Sequence, residues 1–176
     1  MNILNRFVGY TLIVLFSMMV IPAHSQSYAD LWKQVENAEQ KDLPQTRLKV
    51  LSEIVTKAEK DHAYGQLLKA SLMHARVQAT VSPDSLLSAV ERLQKQAEKA
   101  QSYPFQAVCY AVLGKVYQSN PRLSSDWKLL SEDYFHKAVE KPVELAAVKT
   151  EDFKPFVVEG KDSQYYGDDL LSLICM

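Results

Sequence analysis

Cysteine is scarce in this chain, with two in 176 residues, Cys109 and Cys175. An oxidising compartment would permit a bridge between them. Cys109, however, lies inside an apolar helical run, and Cys175 is next to last. The simpler reading is one buried thiol and one incidental terminal thiol, because free cysteine behaves as a small buried hydrophobe. Glycine is sparse too, with five residues. No G-x-x-x-x-G-K-[ST] loop is present, which removes the usual phosphate cradle. Ser82, Ser124 and Ser125 stand outside any G-x-S-x-G elbow, and capping explains Ser82 better. An excess of either charge is missing as well. Without the leader described next, 21 acidic residues face 19 Lys and Arg, a net charge near −2. Nucleic acid calls for a basic face, and a membrane surface for a polybasic patch; neither is found here.

One long uncharged run does occur, Phe7 to Ile21. Arg6 precedes it, Pro22 breaks it, and Ala23-His24-Ser25 places small residues at −3 and −1 of a cleavage site. Residues 1–25 are therefore expected to be a signal peptide. The run is short against the roughly 20 residues of a spanning helix. An uncleaved anchor stays open as the alternative, and the only membrane contact expected is through this segment. With no cysteine near residue 25, a lipid-anchored amino terminus is not expected. The mature chain should be exported, to the periplasm or cell envelope. Its length can bury about two-thirds of the unfolded surface in one core.

From residue 26 the pattern is helical. Tyr28, Leu31, Trp32, Val35 and Ala38 mark one face of a helix over Ser27–Gln40, with Ser27 as N-cap. A second starts near Asp42-Leu43-Pro44 and buries Leu48, Leu51, Val55 and Ala58, with proline tolerated in its first turn. The third, Tyr64–Ala79, is lined by Leu68, Leu72, Ala75 and Ala79. Ser82-Pro83-Asp84-Ser85 is the start signal of a fourth, followed by Leu86, Val90, Leu93, Ala97 and Ala100. The fifth, Tyr103–Ser119, is apolar on most sides and should be central. The sixth, Ser125–Glu140, turns Trp127, Leu130, Tyr134 and Ala138 inward. Val143–Lys149 suggests a short helix and Thr150–Asp162 an irregular or briefly extended segment. Asp168–Cys175 begins another amphipathic helix, with Leu170, Leu171 and Ile174. Stopping inside such an element suggests a truncated reading frame or a piece of something larger. That leaves the Leu170-Leu171-Ile174 face exposed.

The fold class expected is all-α: antiparallel hairpins stacked as a tetratricopeptide-like right-handed solenoid over residues 26–149. Residues 150–176 then form an irregular segment and the start of a further helix. Helix pairs recurring at roughly thirty to forty-odd residues carry this reading. Tyr110, Leu113, Gly114 and Tyr117 reproduce W-x-x-L-G-x-x-Y with Tyr for Trp. Phe135 and Ala138 fit the F-x-x-A of the partner helix with about five extra residues in the turn. The core is expected to include Leu31, Trp32, Val35, Leu51, Leu72, Leu93, Tyr110, Leu113, Gly114, Tyr117, Phe135 and Ala138.

Several ordered segments carry a more specific likeness. They are Leu31-Trp32-Lys33-Gln34-Val35-Glu36, Lys41-Asp42-Leu43-Pro44-Gln45-Thr46, Leu48-Lys49-Val50-Leu51, and Ser82-Pro83-Asp84-Ser85-Leu86. Val112 to Tyr117, Phe153 to Val158 and Asp168 to Leu171 follow. Over about residues 28 to 174 the chain resembles the amino-terminal helical region of large bacterial alpha-2-macroglobulin-like proteins. The resemblance implies a helical module ahead of β-sandwich domains, in proteins that trap or inhibit proteases. The thioester that some members carry is not matched: Cys109 is followed by Tyr110-Ala111-Val112, and Cys175 by Met176. The inhibitory machinery therefore maps to no residue here.

Catalytic chemistry finds no foothold. His24 lies in the leader, His62 near a turn, and His74 and His136 on separate helices, without ligand spacing. Glu132-Asp133, Glu151-Asp152 and Asp168-Asp169 suit helix ends or solvent. Asp162 with Asp168-Asp169 lacks the ligand spacing of a calcium loop. No catalytic, cofactor or metal residue is expected. Tyr165-Tyr166-Gly167, in a loop, offers a possible partner contact. The leading expectation is a non-enzymatic scaffold whose partner is another protein or downstream domains of a larger chain. A stand-alone exported tetratricopeptide-like adapter for an envelope protein is the alternative, and a small hydrolase the remote third.

Overall fold

A computed structural model describes residues 26–82 and 85–176. The expected signal peptide, with His24, and Pro83-Asp84 of the fourth helix's start signal lie outside the described residues. Among the described residues the structure is all-α, and no strand occurs. The helices are α1 (Tyr28–Gln40), α2 (Pro44–Asp61), α3 (Tyr64–Val81), α4 (Ser85–Lys99) and α5 (Tyr103–Ser119). They are followed by α6 (Trp127–Ala138), α7 (Pro142–Ala146) and α8 (Leu170–Ile174). The sixth helix thus begins two residues later than the sequence pattern implies.

Local chemistry sets the boundaries. Ser27 caps α1, its Oγ accepting the Asp30 N–H at 3.1 Å. The turn into α2 places Asp42 at φ 51°, a left-handed conformation that a short polar side chain tolerates. His62 closes α2 in the same region, at φ 53°, and its N–H and that of Ala63 bond back to the last turn. His62 is therefore a helix cap. Pro44, Pro104 and Pro142 stand in first turns, where the missing N–H costs nothing.

Two apolar clusters result. Leu31 and Val35 of α1, Val50, Leu51 and Ile54 of α2, and Ala70 and Val77 of α3 form the first. The second gathers around α5, where Phe105, Ala107, Val108, Cys109 and Leu113 are all buried against neighbours from α3, α4, α7 and α8. α3 belongs to both clusters, which changes its expected face. Its buried residues are Gly65, Leu67, Leu68, Ala70 and Val77, whereas Leu72, Ala75 and Ala79 are only half-buried. A single-stripe pattern cannot describe a helix packed on two sides.

The last part of the chain turns back onto this core. Thr150 N–H donates to Asp168 O (2.8 Å) and Leu170 N–H to Val148 O (3.0 Å), clasping the base of a loop. Lys149 and Asp168 add an ion pair at 2.7 Å. From within that loop Phe153 inserts beside Tyr64, whose ring stacks on Phe105 at 4.5 Å. Phe153, Leu145 and Leu170 are buried in the α5 cluster. The exposed Leu170-Leu171-Ile174 face is thereby corrected: Leu170 is fully buried, and Leu171 and Ile174 are half-buried against the same core. Asp169 caps α8 by accepting the Ser172 N–H at 2.9 Å.

Candidate functional site

The α5–α6 hairpin carries the sequence pattern most directly. Gly114 is buried beneath the Phe135 ring, and a Cβ there would approach Phe135 Cε1 to 3.0 Å. The Ser131 hydroxyl donates to Gly114 O at 2.9 Å, so backbone and helix meet where the side chain is missing. Tyr134 lies between Tyr110 and Tyr117, with centroids 5.8 Å away from each. Gln94 Nε2 on α4 donates to Tyr134 OH at 2.7 Å and to Tyr117 OH at 3.4 Å. Burial raises the Tyr117 hydroxyl's pKa, with Tyr134 adding to it. This is packing, with every phenol placed against a neighbour.

Of the residues named from sequence as core, Leu31, Val35, Leu51, Leu93, Leu113, Gly114, Tyr117 and Ala138 are buried. Trp32, Leu72, Tyr110 and Phe135 are half-buried. Trp32 sits at a helix edge, its Nε1 donating to Gln66 at 2.6 Å and Lys69 lying over its ring. Leu72 and Phe135 instead wall two grooves.

The first groove, of about 620 Å³, runs between α5, α8 and the loop segment 156–158. Val112, Phe135, Val157 and Ile174 line it, with Val158 and Met176 largely exposed at its edge. Lys115 supplies its cation and donates to the Gln118 side chain at 3.0 Å. The second groove, of about 400 Å³, lies between α2, α3 and α4. Both volumes fall within the range of sites that receive side chains or small ligands. Periodicity did not reveal either groove, because each combines buried, half-buried and exposed positions contributed by several separate elements.

Among the described residues the titratable groups do not converge. Asp133 pairs with Lys137 at 2.6 Å and Glu151 with Lys154 at 3.7 Å. Asp168 is held by Lys149, and Asp169 is occupied as a cap; these contacts keep both carboxylates below the ordinary range. Among the described residues no group of three or more His, Cys, Asp or Glu is placed to hold a metal ion. Burial pushes the Cys109 thiol up to about 12, and Cys109 and Cys175 are both free. Tyr165 and Tyr166 stand on the outside of the 150–169 loop, 77% and 49% exposed, and line neither groove. Among the described residues no helix is long and apolar enough to cross a membrane.

No known protein family matches the chain, and no curated protein or solved structure is similar to it.

Proposed function

We propose that this chain is a non-enzymatic, exported helical scaffold that docks a protein partner or the downstream domains of a larger chain. In this reading it corresponds to the amino-terminal helical module of an alpha-2-macroglobulin-like protease inhibitor, and the inhibitory machinery lies elsewhere. The finer architecture that goes with it is a tetratricopeptide-like right-handed solenoid. The α5–α6 hairpin supports that architecture, with Gly114 under Phe135 and bonded to Ser131. The ordered segments from Leu31 to Leu171 support the macroglobulin setting.

One observation carries the docking role. The groove between α5, α8 and residues 156–158 has apolar walls, and Val158 (79% exposed) and Met176 (68% exposed) extend its apolar character to the surface. Apolar surface joined in this way is what a neighbouring protein covers. Two fusions test the proposal. Residues 1–25 joined to alkaline phosphatase should give activity in the periplasm; a cytoplasmic, inactive fusion refutes export. Val158→Asp with Ile174→Asp should abolish co-purification with β-sandwich domains encoded by the same locus. Undiminished co-purification refutes docking through this groove.

The stand-alone adapter differs only in its partner, a separate envelope protein. The same hairpin geometry favours it, since stacked hairpins present grooves without needing a covalent neighbour.

A further inference from the structure

The second groove has a charge pattern across it. Its floor is apolar: Val55 from α2, Leu72 and Ala75 from α3, and Leu86, Val90 and Leu93 from α4. On the α4 rim stand Arg92 and Lys95, one helical turn apart. Among the described residues Arg92 Nη2 bonds a neutral group, Gln78 Oε1, at 3.0 Å. The ion pairs found elsewhere use other residues, so neither cation is neutralised within the described part of the chain. The α2 rim carries Ser52, Thr56 and the single anion Glu59. One wall is thus cationic and the other neutral to anionic, above an apolar floor.

A space of about 400 Å³ admits a row of side chains but no whole helix. An occupant must therefore lay one apolar edge into it and keep its charged flanks outside, which is how an amphipathic helix uses a groove. Complementary charge then fixes which flank lies against which wall. We infer that the α2–α3–α4 groove is a docking site for an amphipathic helix that carries acidic residues along the flank facing α4. This rests on the docking-scaffold reading and names a second surface for it.

Three synthetic helical peptides with one identical leucine edge test this, their flanks filled with Glu, Gln or Lys. Each is titrated into the isotope-labelled mature chain, with amide shifts read residue by residue. The Glu peptide should move signals of Leu72, Ala75, Leu86 and Val90 and bind about tenfold more tightly than the Lys peptide at low salt. Arg92→Glu with Lys95→Glu should invert that order. These positions are exposed, and an unchanged thermal midpoint verifies the fold. Equal affinity for all three peptides, or an order that survives the charge reversal, overturns the inference. Shifts confined to Val112, Val157 and Ile174 also overturn it while leaving the scaffold reading intact. No response at either groove, with no loss of partner in the Val158→Asp and Ile174→Asp variant, removes both.

Discussion

A methyl group added at Gly65 would land on the carbonyl oxygens of Phe153 and Lys154. Those are backbone atoms, so the whole loop segment must move. At Gly114 the obstacle is the Phe135 ring at 3.0 Å, a side chain that can yield. Alanine also gains about 1 kcal/mol over glycine in a helix interior. Gly65→Ala should therefore lose about 1–3 kcal/mol, the usual scale of overpacking, and Gly114→Ala much less. Urea unfolding of both variants checks the order. The two thiols offer another residue-scale contrast. Cys109 is fully buried and protonated, whereas Cys175 is exposed. Iodoacetamide should modify Cys175 in the native protein and Cys109 only after denaturation, as read by mass spectrometry. The sequence pointed to both thiol environments and placed Gly114 in the core, where it is buried. The need for glycine at position 65 was not legible, because its neighbours come from a distant segment.

Single elements were readable as helices where one face was buried, although α2 buries Val50 and Ile54 where the pattern named Leu48 and Val55, which are half-buried. α1 shows this well: Leu31, Val35 and Ala38 are its buried positions, and Ser27 is its cap. α5 was readable for the opposite reason, since its nearly continuous apolar run marks burial on most sides. α3 defeated the pattern because α2 packs on one side and α4 with Phe153 on another. The loop from Thr150 to Asp169 was opaque, since its order comes from the 148–150 and 168–170 clasp and from Phe153. Removing that ring should be costly. Phe153→Ala is expected to destabilise by about 3–5 kcal/mol, the range for emptying a buried aromatic site. Asp169→Ala, which deletes the α8 cap, should cost about 1 kcal/mol. Chemical denaturation with tryptophan fluorescence separates the two. Neither groove was visible at this scale, because periodicity sorts residues into inside and outside, and groove walls are half of each.

At the scale of the molecule, acid should act in two windows. His74 faces the α2–α3–α4 groove with Glu59 from α2 and Arg92 and Lys95 from α4. Burial, and then Arg92, hold its pKa below the ordinary 6.5. The unfolded chain therefore takes up this proton first as pH falls, so stability is full above about 6.5 and declines below it. Asp61, Asp168 and Asp169 are also lowered from 3.8, by their hydrogen bonds and ion pairs, and their contribution is lost only at more acid pH. The urea midpoint should drop between pH 7 and pH 5, and His74→Gln should flatten that drop while leaving the decline below pH 4.

The contact of Phe153 with the start of α3 has a temporal side. It joins positions half the chain length apart, while α1, α2 and α3 find one another through turns of a few residues. A chain emerging from its amino end can close the α1–α3 cluster early, because short loops cost little entropy. The stacked rings of Tyr64 and Phe105 must then wait, uncovered on one side, until Phe153 arrives. During that interval the growing protein presents an aromatic surface that its finished form hides. A holding factor or a second unfinished copy would meet the chain there.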